Sequence, residues 1–78
     1  RFGESLVLKP SNSIHTFFMN FPIDVLFLDR DNKVIDAFTM PTSRLSKIYL
    51  KSAMVIELPA GTIKQTLTQK GDTIDISF

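Results

Sequence analysis

A chain of 78 residues can bury one small core, and 44% apolar against 22% charged residues excludes an intrinsically disordered segment. Nine basic residues against eight acidic ones leave a formal charge of +1, and the lysines are spread singly from Lys9 to Lys70, which argues against a nucleic-acid-binding domain. Cysteine is absent, which excludes disulfides and thiolate metal sites, and apolar runs broken by Pro22, Asp24 and Asp29 fall short of the roughly 20 residues of a membrane-spanning helix.

Residues 1–78 read as a single domain. Ser5 to Lys9 is rich in branched apolar residues and closed by Pro10, which predicts a short first strand. After the turn formers Pro10 to Ser13, the segment Ile14 to Asn20 carries β-branched and aromatic residues and predicts a second strand. Side chains alternate along a strand, so His15, Phe17 and Met19 share one face and Ile14, Thr16 and Phe18 the other.

Ile23 to Asp29 follows Pro22 as a third strand, interrupted on one face by Asp24. Arg30-Asp31-Asn32 is a hairpin signal, with Asn32 suited to a left-handed position and Lys33 to Met40 as the partner strand. Met40 to Ser43 breaks the pattern, Arg44 to Ser46 continues as a loop, and Ile48 to Lys51 is a further short strand. Ser52 to Leu58 predicts a buried strand running into the Pro59-Ala60-Gly61 turn. Thr62 and Gln65 have capping-box spacing, predicting a helix of about two turns to Gln69 that its β-branched content makes marginal. Lys70-Gly71-Asp72 is a tight turn, and Thr73 to Phe78 a last strand with Ile74, Ile76 and Phe78 on one face. The expected fold is therefore mainly β, a small barrel or sandwich of about six short strands with one short helix near the C-terminus.

Three ordered blocks carry a resemblance. Ser13-Ile14-His15-Thr16-Phe17-Phe18-Met19 with Phe21-Pro22-Ile23-Asp24-Val25 and Phe27-Leu28-Asp29 forms the first, Glu57-Leu58-Pro59-Ala60-Gly61-Thr62 the second, and Lys70-Gly71-Asp72 the third. Together they resemble domain of unknown function family 192, also called uncharacterised protein family 0127. The resemblance implies a compact β-rich fold, a bacterial or archaeal source and no established activity, and against it this chain is expected to lack the family's N-terminal portion, as a fragment or as a divergent short member. A cysteine often found in the nearest subgroup is replaced by Ser11, so no thiol role carries over.

His15 is the one histidine and the one side chain whose ordinary pKa lies near neutrality. Catalysis by it would need an orienting carboxylate, and Asp24 is the candidate, brought close across Phe21-Pro22. The competing account, which we weight more heavily, has His15 and Asp24 bonding to backbone at a bend between strands. A soft His15 and Met19 pair would suit copper, but four residues along a straight strand separate them by roughly 13 Å, so no metal site is assigned. Met19, Met40 and Met54 read as core. Asp29, Asp31 and Asn32 resemble part of a calcium loop but lack its glycine and distal glutamate, so they read as a solvated hairpin tip. Asp36 and Asp75 are expected in strands and facing solvent, and Glu57 to cap N–H groups of the turn after it.

The sequence points to a non-enzymatic binding or accessory domain without a cofactor, whose small-molecule or protein ligand meets His15, Phe17, Met19, Asp24 and Glu57. The first alternative is a hydrolase-like enzyme using His15 with Asp24. The second is a structural module pairing through a strand edge. A monomer is expected, in the cytoplasm, or exported if a leader preceded Arg1.

Overall fold

The run Ile23 to Leu28 is apolar at every position except Asp24, the pattern of a strand covered on both faces. In the computed structural model of the protein it is the strand around which the sheet is built. The structure describes residues 6–8, 13 and 21–75. Its elements are β1 (Leu6–Leu8), β2 (Ile23–Leu28), β3 (Val34–Met40), β4 (Met54–Pro59) and α1 (Thr62–Thr66). The strands form an antiparallel sheet in the order β1-β4-β2-β3, and every residue of β2 is buried.

Alternation along β2 divides the core between two faces. Ile23, Val25 and Phe27 join Met40 and Val55 on one, with Ile35, Phe38 and Tyr49 packed against them. Leu26 and Leu28 join Val34, Met54 and Ile56 on the other, flanked by Ala37 and Leu58 of the sheet and packed against Ile63 and Ile74. Phe27, with no exposed surface, stacks on Tyr49 with ring centroids 4.1 Å apart. Burying such a side chain contributes about 1.5 to 3 kcal/mol.

The β2–β3 hairpin forms as its residues predict. Asp29 N–H donates to the Lys33 carbonyl at 3.0 Å, and Asp29 Oδ1 accepts from the Asp31 and Lys33 N–H groups at 2.8 and 3.0 Å. Asn32 takes the left-handed position at φ 63. Leu28 pairs with Val34 but Phe27 with Asp36, so Ile35 is an extra residue and β3 bulges there. The bulge lets Val34 follow Leu28 onto one face while Ile35 packs on the other.

Several expectations need correction. The described strands make an open sheet of four, so neither a closed barrel nor six strands is seen among the described residues. The strand expected over 14–20 lies outside them. Ile48 to Lys51 is not a strand: Tyr49 turns its ring onto Phe27, and its carbonyl accepts from Ser52 N–H at 2.9 Å, closing a turn. The last strand is reduced, among the described residues, to an antiparallel bridge between Lys33 and Thr73, and residues 76–78 lie outside the description.

The helix is shorter than expected and starts differently. Gly61, at φ 98, is the N-cap and Thr62 is already helical, its hydroxyl donating to the Pro59 carbonyl at 2.6 Å. The capping box therefore does not form. Thr66 donates its hydroxyl back to the Thr62 carbonyl at 2.9 Å, a local bond that competes with helix propagation, and the helix stops before Leu67.

Leu67 holds φ 57 and is 80% exposed, so a Cβ there is strained with almost no burial in return. Replacing Leu67→Gly is expected to raise stability by about 0.5 to 1 kcal/mol, after allowing for the looser unfolded chain. The urea midpoint reads this directly, and an unchanged or lower midpoint would contradict the strain.

Candidate functional site

Strand alternation puts Asp24 on the face of Leu26 and Leu28, beneath α1, with no exposed surface. It stands opposite Thr39 on β3 in register, and its Oδ1 accepts the Thr39 hydroxyl at 2.5 Å. Its Oδ2 accepts the Ile63 N–H at 2.8 Å. The first N–H groups of a helix lack partners within the helix, and the Gly61 N-cap has no side chain to offer one. Asp24 supplies that bond from a strand 39 residues away in sequence. Both carboxylate oxygens thus work inside the fold, tying β2 to β3 and to α1.

The other residues expected at the site are arranged differently. Glu57 is half-buried on β4, in register with Val25 and with Leu6 of β1, whereas Asp24 is in register with Leu58. Asp24 and Glu57 therefore lie on opposite faces of the sheet. His15, Phe17 and Met19 fall outside the described residues. Among the described residues, no group of three or more histidine or carboxylate side chains could hold a metal ion.

A second polar tie secures the opposite face. Asp36, expected at the solvent, is half-buried and accepts the Tyr49 hydroxyl on Oδ2 at 2.6 Å and the Ala37 N–H on Oδ1 at 2.9 Å. Lys47 Nζ sits 5.1 Å from the centre of the Tyr49 ring. Burial, then the bond to Asp36 and its negative charge, push the Tyr49 phenol from 10.0 up to about 12. Sequence reading passed Tyr49 over. Its one signal was a lone tyrosine in a loop of aliphatic and basic residues, and a partner 13 residues away leaves no local spacing to recognise.

A cleft runs between the hairpin tip and the loop before β4, lined by Asp29, Arg30, Asp31, Leu50, Lys51 and Ala53. Asp29 Oδ1 is already engaged by two backbone N–H groups there. The cleft is separate from Asp24, which has no surface to offer it.

The family profile described as DUF192, Uncharacterized ACR, matches residues 3–76. Among curated proteins, a UPF0127 protein of Thermococcus kodakarensis is 39% identical over 66 residues, covering 85% of this chain and 42% of the relative. A UPF0127 protein of Pyrococcus abyssi is 36% identical over 63 residues, covering 81% and 54%. A third, from Thermococcus gammatolerans, is 40% identical over 65 residues, covering 80% and 40%. The chain thus spans about half the length of the curated relatives it matches. No solved structure matches it.

Two outcomes follow from these ties. Asp24→Ala leaves the Ile63 N–H without its acceptor and is expected to cost about 2 to 3 kcal/mol, with faster amide exchange over residues 63–67, whereas Thr39→Val, at an exposed position, should cost only about 1 kcal/mol. Equal losses for the two variants would contradict the helix-capping role. For Tyr49, the folded state holds the phenolic proton more tightly than the unfolded chain. Its contribution is therefore complete below about pH 10 and is lost as pH rises from 10 towards 12. Urea midpoints should fall across that window, and the fall should be smaller in Tyr49→Phe.

Proposed function

The chain belongs to the uncharacterised DUF192 family, and from that premise we propose that it is a non-enzymatic binding or accessory domain. The observation that supports this reading is the complete burial of Asp24, each of whose oxygens accepts a hydrogen bond from the scaffold. A general acid or base must reach the proton it moves, and an orienting carboxylate needs an oxygen for the histidine. Asp24 gives one oxygen to Thr39 and the other to Ile63, with no solvent-accessible surface.

In this reading the ligand meets His15, Phe17 and Met19, together with Glu57 and the turn after it, while Asp24 holds the wall behind them. The ligand class is a small molecule or a protein segment. A strand over residues 14–20 that closes the sheet towards a barrel is part of the same proposal, as is a monomeric state. The rival hydrolase-like reading requires His15 to bond an Asp24 oxygen beside the two donors already there.

Nitrogen-15 chemical-shift mapping against a panel of sugars, amino acids and divalent cations tests the proposal. Saturable shifts confined to residues 13–24 and 57–61, without turnover of activated esters, are expected. Ester hydrolysis lost in His15→Ala, and lost in Asp24→Asn while that variant stays folded, would establish the enzymatic reading instead. An absence of shifts across the panel counts against small-molecule binding at this surface.

A further inference from the structure

The loop 41–53, between β3 and β4, carries Arg44, Lys47 and Lys51 and no acidic residue, and the carboxylates nearest it across the cleft, Asp29 and Asp31, are accompanied there by Arg30. Within it Leu45, Ile48 and Leu50 are 65%, 64% and 89% exposed. Single exposed aliphatics need no explanation, but three in one short loop interleaved with three cations do.

The backbone holds these side chains outward. Tyr49 is anchored by its ring on Phe27 and its hydroxyl on Asp36. The Ser52 N–H to Tyr49 carbonyl bond closes a turn with Leu50 and Lys51 at its centre, and the Ala53 N–H donates to the Leu28 carbonyl at 2.8 Å. Turn centres favour glycine, proline, asparagine, aspartate and serine, so the fold itself gives no reason for a leucine there. With both ends tied to the sheet, docking orders little additional chain.

We propose that this loop docks the protein peripherally on an anionic lipid surface. Leu45, Ile48 and Leu50 enter the boundary between headgroups and acyl chains, and Arg44, Lys47 and Lys51 meet the headgroup phosphates. Charge selects anionic over zwitterionic lipid, each cation being worth about a fivefold change in partitioning at low ionic strength. The same cations could approach a nucleic acid, but bases stack on aromatic rings, and the loop's one ring is turned inward onto Phe27. The exposed side chains are aliphatic, which suits lipid. This surface does not involve the residues of the ligand reading above.

Co-sedimentation of the chain with vesicles of phosphatidylcholine, alone or with about one-third phosphatidylglycerol, decides the matter. Partitioning at least tenfold stronger on the anionic vesicles, weakening with added salt, is expected. The triple variant Leu45→Ser, Ile48→Ser, Leu50→Ser should lower it at least tenfold with an unchanged circular dichroism spectrum, Lys51→Glu should lower it severalfold, and Leu67→Gly should leave it as it was. No binding, equal binding to both vesicles, undiminished binding by the triple variant, or an equal loss in Leu67→Gly would each overturn the proposal. Concentration-dependent self-association through the loop, without vesicle affinity, would overturn it in favour of a protein interface.

Discussion

The Asp24 carboxylate ties β2 to β3 and to α1 through its two oxygens. It lies near the start of β2, every residue of which is buried, and accepts from a hydroxyl 15 residues away and a helix N–H 39 residues away. A five-residue helix is too short to persist on its own, so α1 exists where tertiary contacts hold it. Those contacts are the Ile63 side chain on the core and the Ile63 N–H on Asp24. A polar group buried in this way is tolerated because each oxygen finds a donor, and it is costly to remove because the Ile63 N–H would then be left without its acceptor.

The opposite face has a comparable arrangement with a different residue. Tyr49 brings an irregular loop down onto Phe27 and fastens it through Asp36. On each face, then, one aspartate on a sheet strand fixes a segment that has little regular structure of its own. The two carboxylates differ in strength of tie: Asp24 meets a backbone donor and a hydroxyl in full burial, whereas Asp36 meets its phenol at a half-buried position. Both are occupied within the fold, which moves the search for function towards the loops and turns that these ties position.

Functional reading follows from that division. Glu57, on the face opposite Asp24, belongs with Val25 in the register of the sheet. The loop held by Tyr49 presents aliphatic and basic side chains outward, and the turn after β4 leads directly into the helix that Asp24 caps. Exposed side chains are thus displayed by well-anchored connections, while Asp24 and Asp36 bond within the scaffold.

Much of this was legible in the residues. The alternation of Ile23 to Leu28, the left-handed Asn32, the buried run Met54 to Ile56 and the turn at Gly71 follow from local backbone preferences and period-two patterning. Asp24 was also legible as a carboxylate near the bend at Phe21-Pro22 that would bond to backbone, as it does to the Ile63 N–H. Its partners were not. The Thr62 and Gln65 spacing suggested a local cap, but the donor at Ile63 was satisfied from another strand. Ile48 to Lys51 had strand propensity, but Tyr49 made its contacts with Phe27 and Asp36 instead. By itself the sequence determined the four described strands, the hairpin turn and family membership, because those depend on residues near one another in the chain. Only the tertiary structure decided which face each carboxylate occupies and which donor it meets, because hydrogen bonds across 13 to 39 residues depend on register and sheet order, which no local spacing encodes.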